Sequence, residues 1–283
     1  MKLKANAKLN LVLDIGAREA NGYHQMRMIM QTVDLADIIT ANFELDEPLQ
    51  VTATVNIEGE NIVTKAVKAY SKAAELNIGG KIHIEKHIPM TAGMGGGSAD
   101  CAAVLTALDR TFGKVDKVAL DKIALSLGAD VPFAMVGGTA YATGVGENLK
   151  ALSPLPHCYI VLASGGVKDS TGAMFRRFDE ANEQFHPEIE RAVAAVNSGN
   201  LPEICTNLGN SFAPLWQSER VQGICKAFEQ SGARGYSLSG AGPTLFAIFD
   251  SSERAADCAK AIEGRFGWSR ICTPAEKSIE IIE

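Results

Sequence analysis

Pro89-Met90-Thr91-Ala92-Gly93-Met94-Gly95-Gly96-Gly97-Ser98-Ala99-Asp100 is the stretch that decides how this chain is read. Four of the five positions from Gly93 to Gly97 are glycine, which removes the Cβ atoms that would hold a ligand away from the backbone. Several N–H groups can then converge on one anion. The stretch runs into the apolar, helix-like Cys101-Ala102-Ala103-Val104-Leu105-Thr106-Ala107-Leu108. A helix starting near Ser98 adds unpaired first-turn donors and the positive end of its macrodipole. An apolar strand-like segment, Lys81 to Ile88, precedes the glycines, and a flexible linker would have neither flank. The pattern predicts a phosphate cradle, with a nucleotide as its natural guest.

The two commonest nucleotide motifs do not fit. A P-loop needs a Lys and a Ser or Thr after its second glycine, and no Gly-Lys-Ser/Thr triplet occurs in the chain. The Rossmann fingerprint is poorly met because Gly93-x-Gly95-x-x-Ser98 lacks a third glycine and lies far from the N-terminal strand.

With 283 residues, 46% hydrophobic and 21% charged, the chain can bury one large core or two modest ones. A net charge of −6 and a pI near 5.5, with no basic stripe, argue against a nucleic-acid partner. The six cysteines contain no C-x-x-C pair and sit mostly in apolar segments, as reduced thiols of a cytoplasmic protein do. Neither a secretory leader nor a membrane-spanning run is legible, so no membrane partner is expected. Two prolines in Ala151–Pro156 interrupt regular structure and place a domain boundary there, giving residues 1–153 and 154–283. The second part reads as a strand at 158–163, helices near 188–197 and 219–229, a hairpin over 236–250, a helix at 253–265 and a last strand at 279–282. That order suggests a small α+β sandwich.

In Lys4-Ala5-Asn6-Ala7-Lys8-Leu9-Asn10-Leu11, alternation predicts a strand with Ala5, Ala7, Leu9 and Leu11 on one face and Asn6, Lys8 and Asn10 on the other. That polar face is either simply solvated or the source of the cation that phosphoryl transfer needs and the glycine loop lacks. Asp130, in Gly128-Ala129-Asp130-Val131-Pro132-Phe133, reads equally as a helix cap worth about 1 kcal/mol or as a partly desolvated general base. Tyr23 and His24 follow a turn-forming Asn-Gly and could stack on a heterocyclic base. His83, Glu85 and His87 share a strand face but read as a solvent-facing edge, and no transition metal is assigned. Ser237–Thr244, with two glycines, reads as a hairpin loop that could form a second anion-binding rim.

Taken in order, Ala7-Lys8-Leu9-Asn10, the Gly93–Ala99 loop, Gly128-Ala129-Asp130-Val131-Pro132 and Ser239-Gly240-Ala241-Gly242-Pro243 resemble the signatures of the GHMP kinase superfamily over nearly the whole chain. With Gly-x-Arg-x-x-x-Gly-Tyr-His at 16–24, the set resembles the branch that phosphorylates the 2-hydroxyl of a cytidine diphosphate-linked alcohol in non-mevalonate isoprenoid synthesis. The resemblance implies an α+β architecture, with a ribosomal-protein-S5-like N-terminal domain (1–153) and a ferredoxin-like C-terminal domain (154–283). It implies ATP with Mg²⁺, and a cytoplasmic enzyme, monomer or homodimer, acting on a small molecule.

Carried over by position, Lys8 and Asp130 match the catalytic lysine and base. Asn61 matches the adenine-pocket asparagine, and Pro89, Gly93, Met94, Gly95, Gly96, Gly97, Ser98 and Ala99 form the nucleotide loop, with Ser98 a contact for Mg²⁺. Asn10, Tyr23, His24 and Phe175 match the acceptor site, with Gly240 and Gly242 near the acceptor's phosphates. Departures from the pattern are Met94 for Leu, Ala99 for a second Ser, Asn21 for Asp and Gly165 for Pro. The alternatives are a homoserine or mevalonate type kinase, which should lack the Tyr-His pair, and a non-catalytic nucleotide-binding protein, which should lack the lysine or the aspartate.

Overall fold

A computed structural model of the chain describes residues 1–20, 22–167 and 170–283; Asn21, one of the departures named above, lies outside them. The first half runs β1 (Lys2–Arg18), β2 (His24–Leu45), β3 (Leu49–Ala53), α1 (Ile62–Ala74), β4 (Ile78–Glu85), α2 (Gly96–Phe112), α3 (Lys117–Leu127), α4 (Val131–Val136), β5 (Thr139–Gly144) and β6 (Asn148–Ala151). The second half runs β7 (Tyr159–Ser164), α5 (Thr171–Asp179), α6 (Ile189–Ser198), α7 (Leu201–Thr206), β8 (Gly209–Asn210), α8 (Glu219–Gln230), β9 (Gly235–Leu238), β10 (Thr244–Phe249), α9 (Ser252–Phe266), β11 (Ser269–Cys272) and β12 (Ile279–Ile281).

The first sheet has the order β12-β1-β2-β4-β3, with β5 on β2, β6 on β5 and β8 on β1. Helix α2 lies across it and is buried nearly all round, from Ala99 to Leu108, as a helix apolar on every face must be. The second sheet, β11-β7-β10-β9, is antiparallel throughout. Its strands, taken along the chain, stand fourth, first, third, second, and helices separate the first from the second and the third from the fourth. This is the ferredoxin-like arrangement. Ile224 and Phe228 of α8 and Cys258 and Ile262 of α9 share one core with Val161, Ala247 and Phe249 of that sheet.

The elements expected in the second half all form, each within a few residues of its expected bounds. Two elements of the first half differ in an instructive way. β4 stops at Glu85 because the next N–H groups go to side chains: Lys86 N donates to Thr54 Oγ1, and His87 N and Ile88 N to Asp37 Oδ1. Helix α2 begins at Gly96 because Gly95 takes the N-cap position with φ 68°, a left-handed conformation suited to glycine. The reading of Asn6, Lys8 and Asn10 as a solvated face is overturned. All three are buried, because Lys277, Ser278 and Glu280, at the entry to and within β12, cover Asn6 while the glycine loop and the Ser239 turn cover Lys8 and Asn10.

β1 joins the two halves. It pairs with β12 through Leu3↔Ile281 and with β8 in parallel through Val12↔Gly209 and Leu13↔Asn210. Asn210 is fully buried; its Nδ2 donates to Leu238 O (2.7 Å) and Gly240 O (2.9 Å), and its Oδ1 accepts from Phe212 N (2.8 Å). These bonds tie β8, and through it β1, to the turn after β9. Asn210→Ala strands all three backbone groups, so stability should fall by on the order of 3 kcal/mol. Urea unfolding should show a lower midpoint at unchanged slope, and a midpoint equal to wild type would contradict this role.

Candidate active site

The N-cap Gly95 has no side chain to offer, so the first-turn N–H groups of α2 have no side-chain cap. Gly96, Gly97 and Ser98 line a cleft of about 610 Å³ together with Asn61, Ile62, Lys86, Ile88 and Pro89. The glycines are bare for different reasons. A Cβ on Gly97 would stand in the cleft itself, its nearest neighbour Ile62 Cγ2 at 3.9 Å. One on Gly96 would press on Ile88 Cγ2 at 3.0 Å, and one on Gly95 on Lys8 Cγ at 3.1 Å. A cradle of free donors with its central Cβ missing fits a polyphosphate, and the hard oxygen of Ser98 suits Mg²⁺. Asn61 caps α1 through Val63 N (3.0 Å) at the edge of this cleft. Ala99 lies outside it: its N–H bonds to Gly95 O and its methyl packs in the core.

Gly93 docks the loop onto the late turn. Its φ is 81°, and a Cβ there would come within 2.4 Å of Ser239 O and 2.9 Å of Gly242 O. Ser239 Oγ donates to Gly93 O (3.0 Å) and accepts from Asn10 N (3.2 Å). Gly240 approaches Asn10 Oδ1, whereas Gly242 is pressed against the Trp216 ring. Gly165 stands where the resemblance expects Pro, and its N–H donates to Pro243 O (2.8 Å), which proline could not do.

Lys8 Nζ donates to Asn10 Oδ1 at 2.7 Å and lies 3.3 Å from Asp130 Oδ2. Lys8 and Asn10 are 7% and 0% exposed, so the ammonium is held almost without water. Asp130 sits at the N-cap of α4 with φ −84°, yet its side chain makes no capping bond. The carboxylate instead faces Lys8, which removes the helix-cap reading. The position of a Gly95 Cβ is 3.7 Å from Asp130 Oδ2, so the pair abuts the glycine loop directly.

On the other side, a cavity of about 680 Å³ is lined by Tyr23, His24 and Phe175, with Arg18, Arg176 and Asp179 among its polar groups. Phe175 stacks on His24 with centroids 5.3 Å apart and planes 14° apart, and its edge is held by Phe212. His24 Nδ1 lies 3.0 Å from Gly16 O and Nε2 3.0 Å from Asp179 Oδ1. Tyr23, 66% exposed, forms the outer wall. Ala129, next to Asp130, lines this cavity, and Thr171 lines both.

The family model described as GHMP kinases N terminal domain matches residues 61–138, and the one described as GHMP kinases C terminal matches residues 192–267. A protein of Caldicellulosiruptor bescii is 37% identical over 269 residues, covering 93% of this chain and 94% of its own. One of Clostridium tetani is 33% identical over 272 residues, covering 94% and 97%. The chain belongs to the GHMP kinase family. Both relatives are named 4-diphosphocytidyl-2-C-methyl-D-erythritol kinase. A crystal structure of 4-(cytidine 5'-diphospho)-2C-methyl-D-erythritol kinase superposes with TM-score 0.81 at 30% identity over 97% of this chain and 99% of the other. A homoserine kinase from Cytophaga hutchinsonii superposes with TM-score 0.77 at 18% identity over 100% and 97%, which reflects the shared fold. As a GHMP kinase the chain is an ATP-dependent small-molecule kinase.

Several polar residues of this GHMP kinase site escaped sequence reasoning. Asp179 lies four positions from Phe175 and three from Arg176, and Arg176 four from Gly172, helical spacings that bring these residues toward one side of α5. At the base of the glycine-walled cleft, Lys86 pairs with Asp37 and, at 2.7 Å, with Asp100. Burial, with Asp37 adding to it, pushes the Asp100 carboxyl up to about 7 against the pull of Lys86. The one signal for these was charge inside apolar runs.

The cradle has a direct test. Gly97→Val meets nothing but cleft, so the variant should fold normally and lose affinity for a non-hydrolysable ATP analogue; Gly96→Val would also displace Ile88. Calorimetric titration giving wild-type affinity for folded Gly97→Val would place the nucleotide elsewhere.

Proposed function

We propose that this GHMP kinase transfers the γ-phosphate of ATP to the 2-hydroxyl of 4-diphosphocytidyl-2-C-methyl-D-erythritol, a step of non-mevalonate isoprenoid precursor synthesis. The observation that carries this reading is the ion pair of buried Lys8 with half-buried Asp130, standing between a glycine-walled cleft and an aromatic cavity. Relatives of that name at 33% and 37% identity support it. The Tyr23, His24 and Phe175 wall favours a cytidine-linked acceptor over homoserine or mevalonate, whose kinases share the fold.

In this reading Asp130 accepts the proton of the acceptor hydroxyl as its oxygen attacks the γ-phosphorus and ADP departs. Lys8 orients Asp130 and offsets the charge growing on the attacking oxygen, while Asn10 keeps the ammonium aimed at that point. The first-turn N–H groups of α2 bind the phosphates, with Asn61 at the adenine end. Ser98 is the side chain that would hold a Mg²⁺ ion bound with the nucleotide, which would supply neutralisation of the phosphate charge. The cytosine stacks against Phe175 and Tyr23, with His24 at its edge. The enzyme works in the cytoplasm, as a monomer or homodimer, on a small molecule rather than on nucleic acid or membrane. No helix among the described residues is long and apolar enough to cross a membrane.

Asp130→Asn keeps the shape but cannot take the proton, so turnover should fall by about 10²–10⁴-fold with nucleotide affinity retained. Near-normal kcat in the folded variant would remove Asp130 from the chemistry. A stacked base is worth about 1–3 kcal/mol, so Tyr23→Ala with Phe175→Ala should raise acceptor KM about tenfold or more and leave ATP KM in place. ATP consumption with a panel of cytidine-linked and plain alcohols tests the acceptor itself. Equal rates with homoserine or mevalonate would leave only the broader kinase assignment.

A further inference from the structure

Three ionisable side chains to which the proposed reaction gives no role meet at the base of the cleft, Lys86 and Asp100 among its lining residues and Asp37 beneath them. Asp37 lies on β2, Lys86 just after β4, and Asp100 in the second turn of α2, and their side chains are 0%, 6% and 4% exposed. Lys86 Nζ donates to Asp37 Oδ2 and to Asp100 Oδ2. The other Asp37 oxygen accepts the N–H groups of His87 (2.6 Å) and Ile88 (2.8 Å). Asp100 Oδ1 is buried without a hydrogen-bond partner.

As a device for stability this cluster is poorly made. Two carboxylates face one ammonium out of water, one oxygen is unsatisfied, and apolar side chains of similar size commonly hold a core as well or better. Its placement is more telling. Lys86 and Ile88 belong to one wall of the cleft, and the first turn of α2 is the other. The two walls are in contact at Gly96, where a Cβ would lie 3.0 Å from Ile88 Cγ2 and 3.4 Å from Lys86 Nζ. Asp37 holds the first wall by its backbone and Asp100 belongs to the helix that forms the second, so Lys86 ties the two together.

We propose that Asp37, Lys86 and Asp100 form a positioning clamp that sets the separation between the Lys86–Pro89 wall and the Gly96–Ser98 N–H groups, and so sets the affinity for the nucleotide. These are positioning residues: they act on the cradle through Ile88 and α2. The inference rests on the glycine cleft being the nucleotide site.

The test separates positioning from stability with the triple variant Asp37→Asn, Lys86→Met, Asp100→Leu, in which the amide oxygen introduced at position 37 can still accept from the His87 and Ile88 N–H groups. It should keep its thermal midpoint within about 4 °C of wild type. Calorimetry with adenylyl-imidodiphosphate should show Kd raised about tenfold or more, while acceptor Kd stays within about twofold. In turnover, ATP KM should rise more than kcat falls. Asp100→Asn, which keeps the volume and the Lys86–Asp37 pair, should show a smaller rise of the same kind.

A folded triple variant with wild-type nucleotide affinity overturns the clamp. If the triple variant does not fold, unchanged nucleotide Kd in Asp100→Asn overturns it equally. Gly97→Val tells this failure from a failure of the site: if that variant also binds normally, the nucleotide lies elsewhere, whereas loss in Gly97→Val beside normal clamp variants removes the clamp alone.

Discussion

Burial of the Lys8 ammonium is the constraint around which the site is organised. A cation taken from water must be paired and hydrogen-bonded, and Lys8 has Asn10 Oδ1 at 2.7 Å and Asp130 at 3.3 Å for that purpose. The register of β1 against β2 shifts between Asn6 and Lys8 and again between Asn10 and Val12, which marks local irregularity on either side of the pair. Glycine at position 95 leaves room for the lysine's methylenes. One charge therefore links the strand, the nucleotide loop and the α4 turn that presents Asp130.

The second half of the molecule contributes more than a lid of apolar surface. Its Ser239–Pro243 turn is bonded to Gly93 and Asn10, its β8 and β12 extend the sheet that carries Lys8, and its α5 supplies Phe175 to the aromatic cavity. The contact at Gly93 is backbone against backbone, closer than any side chain allows. Such a joint has little freedom to slide, so the two cavities keep a fixed relation to the Lys8–Asp130 pair between them.

The same architecture serves kinases of other acceptors, since homoserine and mevalonate kinases at 18% and 16% identity superpose over nearly the full chain. In this chain the aromatic cavity is built from side chains on two elements of that architecture: Tyr23 and His24 where β2 begins, and Phe175, Arg176 and Asp179 on α5. Of the departures in the glycine loop, Met94 and Ala99 both pack their side chains into core clusters, so the proposed donor site, built on backbone groups, does not draw on them.

Local pattern alone was enough for the glycine run, for the elements of the second half other than α5, α7, β8 and β11, and for the singling out of Lys8 and Asp130, because glycine runs, periodicity and an acid among apolar residues are properties of short windows. Family resemblance added Phe175 and Asn61, which no spacing pointed to. Whether Lys8 was solvated or buried, and whether the Asp130 side chain capped α4 or faced a cation, could not be read from any window. Each choice depends on what covers the residue, and the cover comes from far along the chain: Met94 and Ser239 over β1, Lys8 opposite Asp130. The Asp37–Lys86–Asp100 cluster was out of reach for the same reason. Electrostatic pairing of buried charges is decided by distance in space, and the tertiary fold alone sets that distance for residues so widely separated in sequence.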